Sequence, residues 1–235
     1  MSVAAIVPAA GRGERLGPGA PKALRLLGGA PLLVHAVRAL SRARSVDMVV
    51  VAAPPVEVAS VRALLADHEL GAEVEVVAGG STRSDSVRRA LASLPPGVDI
   101  VLVHDAARPL APEELVDSVA RAVRDGADAV VPVMAVTDAI IRVDDGGRVL
   151  DPLDRSGLRV AQTPQGFRRA ALEEAHRVAA ANGSGSLGDD AALVSRLGIG
   201  VLTVPGSEEA FLVTRPIDLV LAEAALARRR ARGVR

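Results

Sequence analysis

Among the 28 Lys and Arg residues of this 235-residue chain there is a single lysine, Lys22. It closes a loop that reads Pro8-Ala9-Ala10-Gly11-Arg12-Gly13-Glu14-Arg15-Leu16-Gly17-Pro18-Gly19-Ala20-Pro21-Lys22. Small residues let a backbone approach an anion and aim successive N–H groups at it, while Arg15 and the compact ammonium of Lys22 supply charge. That combination suits a polyphosphate. Two phosphate fingerprints fail here. The dinucleotide pattern needs Gly or Ala where Leu16 stands, and the Walker A pattern needs Gly before and Ser or Thr after the lysine, where Pro21 and Ala23 stand.

Two further loops carry candidate chemistry. Ala78-Gly79-Gly80-Ser81-Thr82-Arg83-Ser84-Asp85-Ser86 opens a helix, and its glycines and hydroxyls can hold a nucleobase and ribose or simply cap the helix. Val103-His104-Asp105-Ala106-Ala107-Arg108-Pro109 follows an apolar run. There Asp105 can orient a hydroxyl or a metal ion and Arg108 a phosphate, or the two can form a buried ion pair.

These loops need elements to hold them. Apolar runs at Val3 to Val7, Met48 to Ala53, Val74 to Val77, Ile100 to Val103, Ala129 to Val133 and Val201 to Val204 read as buried strands. Helical patterns run from Pro31 to Ala43, Val56 to Ala66, Ser84 to Leu94, Pro112 to Arg124, Ala170 to Ala181 and Pro216 to Arg230, with Pro31 and Pro112 in first turns and Ser84 as an N-cap. The alternation predicts an α/β fold: a doubly wound, mostly parallel, Rossmann-like sheet in one domain spanning 1–235. Ligands of such sheets bind beyond the carboxyl ends of the strands, here the loops after Pro8, Ala78, His104 and Pro132. The segment from Thr137 to Val160 breaks the pattern. Its two β-like stretches around Asp144-Asp145-Gly146-Gly147 predict a projecting hairpin arm that packs on a second copy of the chain.

Composition narrows the partners. The net charge is zero, there is no Trp or Tyr, and Phe167 and Phe211 are the only aromatic rings besides histidine, which argues against nucleic acid. No cysteine is present, so thiolate catalysis and disulfides are excluded. No apolar run approaches the roughly 18 residues of a membrane span, and Ser2 to Pro8 reads as a strand, so a cytoplasmic location without membrane partners is expected.

Together with Gln162-Thr163-Pro164-Gln165-Gly166-Phe167 and Val213-Thr214-Arg215-Pro216, these loops resemble, nearly end to end, the 2-C-methyl-D-erythritol 4-phosphate cytidylyltransferase family of the non-mevalonate isoprenoid pathway. The resemblance implies Mg²⁺ and CTP, a homodimer joined through the arm, and CDP-methylerythritol and pyrophosphate as products. It also implies that Arg15 and Lys22 are the catalytic cations. Ala10, Gly11, Gly13, Gly79, Gly80 and Ser86 would bind CTP, and Asp105, Arg108, Thr163 and, from the partner's arm, Arg155 would serve the acceptor.

Four departures fall on the acceptor side. The family's Thr and Lys on the arm are Ala139 and Ile141, its Thr before the acidic pair is Gly188, and its Lys before Val-Thr is Leu212. Three readings therefore stay open: the methylerythritol phosphate enzyme, a paralogue acting on another polyol phosphate or phosphonate, and a CTP-binding dimer without turnover.

Overall fold

The computed structural model describes residues 1–11, 21–182 and 189–233. In chain order the elements are β1 (Ser2–Pro8), β2 (Leu26–Leu27), β3 (Ala30–Pro31), α1 (Leu32–Arg42), β4 (Met48–Ala53), α2 (Val58–Ala66), β5 (Glu73–Ala78), α3 (Arg83–Ser93), β6 (Val98–Val103) and α4 (Glu113–Arg124). They continue with β7 (Ala129–Ala135), β8 (Ile140–Val143), β9 (Val149–Leu153), β10 (Arg159–Ala161), β11 (Gln165–Arg168), α5 (Arg169–Ala181), α6 (Asp190–Ser195), β12 (Val201–Pro205) and α7 (Pro216–Ala231).

The central sheet has the order β10-β7-β11-β6-β1-β4-β5, with β12 added to β7. Pairings among β5, β4, β1 and β6, and between β7 and β12, are parallel, whereas β10 and β11 run antiparallel to their neighbours. Period-two alternation explains why its central strands read as unbroken apolar runs. Val3, Ala5 and Val7 of β1 face one core with Leu33, Val37 and Leu40 of α1 and Val116, Val119 and Val123 of α4. Ala4 and Ile6 face the other, with Val87 and Leu91 of α3 and Leu172 and Ala175 of α5. Both faces are covered, as a doubly wound sheet requires.

Three local readings are corrected. Helix α3 is capped by Thr82, whose hydroxyl accepts from the Asp85 N–H, and Ser84 lies inside the helix. Pro31 and Pro112 occupy the N-cap positions, one residue before the helices begin. The arm forms as a β8–β9 hairpin, but Arg159 and Val160 have already returned to the main sheet as β10, paired with Ala135 and Met134. The turn follows its sequence: Asp144 accepts from the N–H groups of Gly146 and Arg148, and Gly147 takes the positive φ, 77°, that a side chain disfavours. Strands β2, β3 and β11 and helix α6 were not legible; all are six residues or shorter.

Candidate active site

The expected loops converge at the carboxyl ends of β1, β5 and β6, locked by short bonds to neighbouring strands. Ala9 N–H donates to the Ala52 carbonyl (2.9 Å), Gly79 N–H to the Ala53 carbonyl (2.7 Å) and His104 N–H to the Ile6 carbonyl (2.9 Å). Within this frame Gly79 lies against Ala10: a Cβ on Gly79 would stand 2.8 Å from the Ala10 Cβ and 3.0 Å from Ser86 Oγ. The Gly80 N–H donates to Ser86 Oγ (3.0 Å), and the Ser86 hydroxyl donates to the Thr82 carbonyl (2.9 Å). Ser86 is buried and shapes the turn from behind. Ala10, Gly79, Gly80 and Ser86 therefore form one packed cluster, which Gly11 adjoins in sequence.

Lys22 opens a short 3-10 turn, Lys22–Leu24, whose Ala23 packs into the same core face as Ala9. Arg15, Gly13 and Gly188 lie outside the described residues.

Asp105 caps the end of β6. Its N–H donates to Thr163 Oγ1 (3.1 Å), and its carboxylate Oδ1 accepts from Arg83 Nε (3.1 Å). The Asp105–Arg108 ion pair weighed from sequence is thus replaced by one with Arg83. Arg108 is buried; its Nη1 donates to the Ala210 carbonyl (2.6 Å) and its Nη2 to the Ala161 carbonyl (3.2 Å). Its Nε is also buried and has no hydrogen-bond partner among the described residues. Burial lowers the Arg108 pKa, with Arg83 acting in the same direction and Asp105 opposing it.

Thr163 and His104 form a hydroxyl–imidazole pair, Oγ1 to Nδ1 at 3.0 Å, which resembles a nucleophile and its base. Its surroundings exclude that role. Both residues are buried, the Thr163 oxygen already accepts from Asp105, and His104 Nε2 faces the Arg108 carbonyl (3.1 Å). A carbonyl can only accept, so Nε2 carries the proton and Nδ1 accepts from the threonine. Burial pushes the His104 pKa down to about 4, which keeps the ring neutral. The pair fixes the β6 end against the segment carrying Thr163.

Arg155 lies on the exposed stretch after β9 and donates to the Thr137 carbonyl. Leu212 is half-buried and next to Val213, whose N–H donates to the Ala107 carbonyl (2.8 Å), so it borders the Asp105–Arg108 loop. The Thr214-Arg215-Pro216 motif is a helix start: Asp218 Oδ2 accepts from the N–H groups of Thr214 (2.9 Å) and Arg215 (2.8 Å).

Sequence reasoning assigned no role to Arg83, Asp190, His176 or Gln165. Gln165 is buried, accepting from the Ala191 N–H (3.0 Å) and donating to Asp189 (2.6 Å). A signal was present in the adjacent carboxylates Asp189 and Asp190 at the start of α6, one of which caps the helix while the other turns inward.

Glycine-built turns beside a carboxylate and arginines at the carboxyl ends of a mostly parallel sheet suit the nucleotidyltransferase class. A model of the 2-C-methyl-D-erythritol 4-phosphate cytidylyltransferase family matches residues 3–228. The relative of that name from Streptomyces avermitilis is 54% identical over 97% of this chain and 92% of its own length. One from Frankia casuarinae is 58% identical over 96% of this chain and 82% of its own. The crystal structure of the Thermus thermophilus cytidylyltransferase superposes with a TM-score of 0.77 at 38% identity, covering 97% of this chain and all of that one. This chain belongs to the 2-C-methyl-D-erythritol 4-phosphate cytidylyltransferase family.

Proposed function

We propose that this protein transfers the cytidylyl group of CTP to 2-C-methyl-D-erythritol 4-phosphate. An oxygen of the acceptor phosphate attacks the α-phosphorus of CTP, the bond from that phosphorus to the bridging oxygen breaks, and pyrophosphate leaves with the electron pair. The observation that carries the reading is the placement of the Gly79–Ser86 turn against Ala10 on one wall and of Asp105 on the next, in a chain that matches the family from residue 3 to 228.

In this reading the Ala10, Gly11 and Gly13 backbone takes the triphosphate, and Gly79, Gly80 and Ser86 shape the cytidine wall. Arg15 and Lys22 stabilise charge that builds on the phosphates, which is catalysis by positioning and electrostatics. Asp105, Thr163 and Arg108 form the acceptor side.

A divalent cation such as Mg²⁺ accompanies triphosphates and offsets their charge. The protein donors fit it only in part: no group of three carboxylate or imidazole residues converges among the described residues, and Asp105 Oδ1 is engaged by Arg83. Asp105 is at most one ligand, and the triphosphate would supply the others.

The fold acts as one nucleotidyltransferase domain in a cytoplasmic homodimer. Support for the dimer lies in the arm, where Ile141, Val143, Val149 and Leu150 are each at least half exposed. Arg155 beside them would then reach the partner's acceptor site. No helix among the described residues is long and apolar enough to cross a membrane.

Pyrophosphate release with CTP tests the reading against a panel of phosphorylated polyols. Robust turnover of 2-C-methyl-D-erythritol 4-phosphate is expected. Turnover of a different acceptor alone would favour a paralogous specificity, for which the apolar Leu212 beside the acceptor loop speaks. CTP binding without turnover of any acceptor would reduce the chain to a binding protein.

A further inference from the structure

Arg83 is the first residue of α3, directly after the Gly79–Ser81 turn and the Thr82 cap. Its guanidinium forks between two carboxylates: Nε donates to Asp105 Oδ1 (3.1 Å) and Nη1 to Asp190 Oδ2 (2.6 Å). Asp190 is buried, and its other oxygen meets His176 Nε2 at 2.8 Å. His176 Nδ1 in turn meets Ser84 Oγ at 3.1 Å, so the chain of contacts closes back on α3. Burial alone would lower the Arg83 pKa and raise that of Asp190, yet both shifts run the other way because the two charges face each other.

A stitch between α3 and α6 needs only the Arg83–Asp190 contact. The fork does more, because its second arm ends on Asp105, a side chain still 26% exposed at the carboxyl end of β6. Asp190, itself held by His176, anchors the guanidinium from behind, and the Asp105 main chain is fixed separately by Thr163.

We infer that Arg83 is a positioning residue that couples the nucleotide turn to the acceptor carboxylate. Its main chain belongs to the wall that shapes the cytidine pocket, and its side chain sets the rotamer of Asp105. Movement of the Gly79–Ser81 turn on nucleotide binding therefore reaches Asp105 through one residue. The inference rests on the reading of Asp105 as an acceptor-side group. Lysine cannot replace Arg83, since one ammonium on a flexible stem does not reproduce a planar fork between two fixed carboxylates.

The test is steady-state pyrophosphate release by the full chain, with CTP and acceptor varied in turn, alongside thermal melting. Arg83→Gln is expected to raise the acceptor KM by about tenfold or more while the CTP KM changes by less than about threefold. Asp190→Asn, which changes a buried group out of reach of substrate, should shift the acceptor KM in the same direction. Arg83→Lys should fail to restore it. In the double variant Arg83→Gln/Asp105→Asn the acceptor KM should be no worse than in Asp105→Asn alone, because both changes break one interaction. A folded Arg83→Gln with wild-type acceptor KM, or additive effects in the double variant, overturns the inference. Should Arg83→Gln not fold, a wild-type acceptor KM in Arg83→Lys overturns it equally. An Asp105→Asn variant with unchanged acceptor KM would instead remove the acceptor-side reading of Asp105 on which the inference rests.

Discussion

At the residue scale, the two sides of the cleft are built by opposite means. In the proposed reading the nucleotide side works by absence: Gly79 has no room for a methyl group between Ala10, Ser86 and the Ala53 carbonyl. Gly79→Ala should therefore cost about 1–3 kcal/mol by overpacking and raise the CTP KM, read by melting and kinetics on one preparation. In the same reading the phosphate side works by charge, and Lys22 is the only lysine in the chain. Lys22→Ala should lower kcat by roughly 10²- to 10³-fold, on the scale of removing one oxyanion donor, with the melting temperature preserved. If Lys22→Arg restores full turnover, the compact ammonium was not the point. Lys22 was legible from composition, whereas Arg83 was not: it is one of many arginines, and only folding brings it between Asp105 and Asp190.

At the scale of elements, long and strongly patterned segments were readable and short ones were not. The apolar runs of β1, β4 and β6 and the amphipathic stripes of α1 and α4 carry their periodicity locally. β11 has four residues and exists because β6 and β7 leave an antiparallel place between them, which no local propensity encodes. The arm was readable through its Asp-Asp-Gly-Gly turn, and its exposed apolar side chains bear on assembly. On the proposed arm-mediated dimer, Ile141→Asp combined with Val149→Asp should give a monomer by light scattering and raise the acceptor KM, because Arg155 would leave the neighbouring site. A variant pair that remains dimeric would place the interface elsewhere.

At the scale of the whole molecule, buried imidazoles link stability to pH. Burial pushes His104 down to about 4 and lowers His35 as well. Both folded values lie below the ordinary value of about 6.5, so the unfolded chain binds more protons between those limits. Stability is full above about pH 6.5 and falls as pH drops toward 4, with a loss on the order of 3 kcal/mol from His104. Melting temperatures recorded between pH 7.5 and 4 should show this decline, and His104→Gln should flatten it. A wild-type curve level across that range would contradict the buried, neutral ring. The lowered carboxylates Asp190 and Asp218 act in the same direction at lower pH, since acid removes the charge that Arg83 and the α7 cap stabilise.

The sequence by itself determined the α/β architecture and the order of its main elements, and its loop motifs pointed to the family that the comparisons show. Each of these is written in contiguous residues: runs of valine, paired glycines, a single lysine among arginines. Only the tertiary structure decided what Asp105 binds. An ion pair with Arg108, three residues on, was one of two readings open from sequence, but Arg108 turns into the core toward the carbonyls of Ala161 and Ala210. Arg83 approaches instead from the neighbouring helix, held there by Asp190, more than 100 residues later in the chain. Charged side chains pair with whatever the packed sheet and helices bring within about 3 Å, and that proximity is a property of the fold.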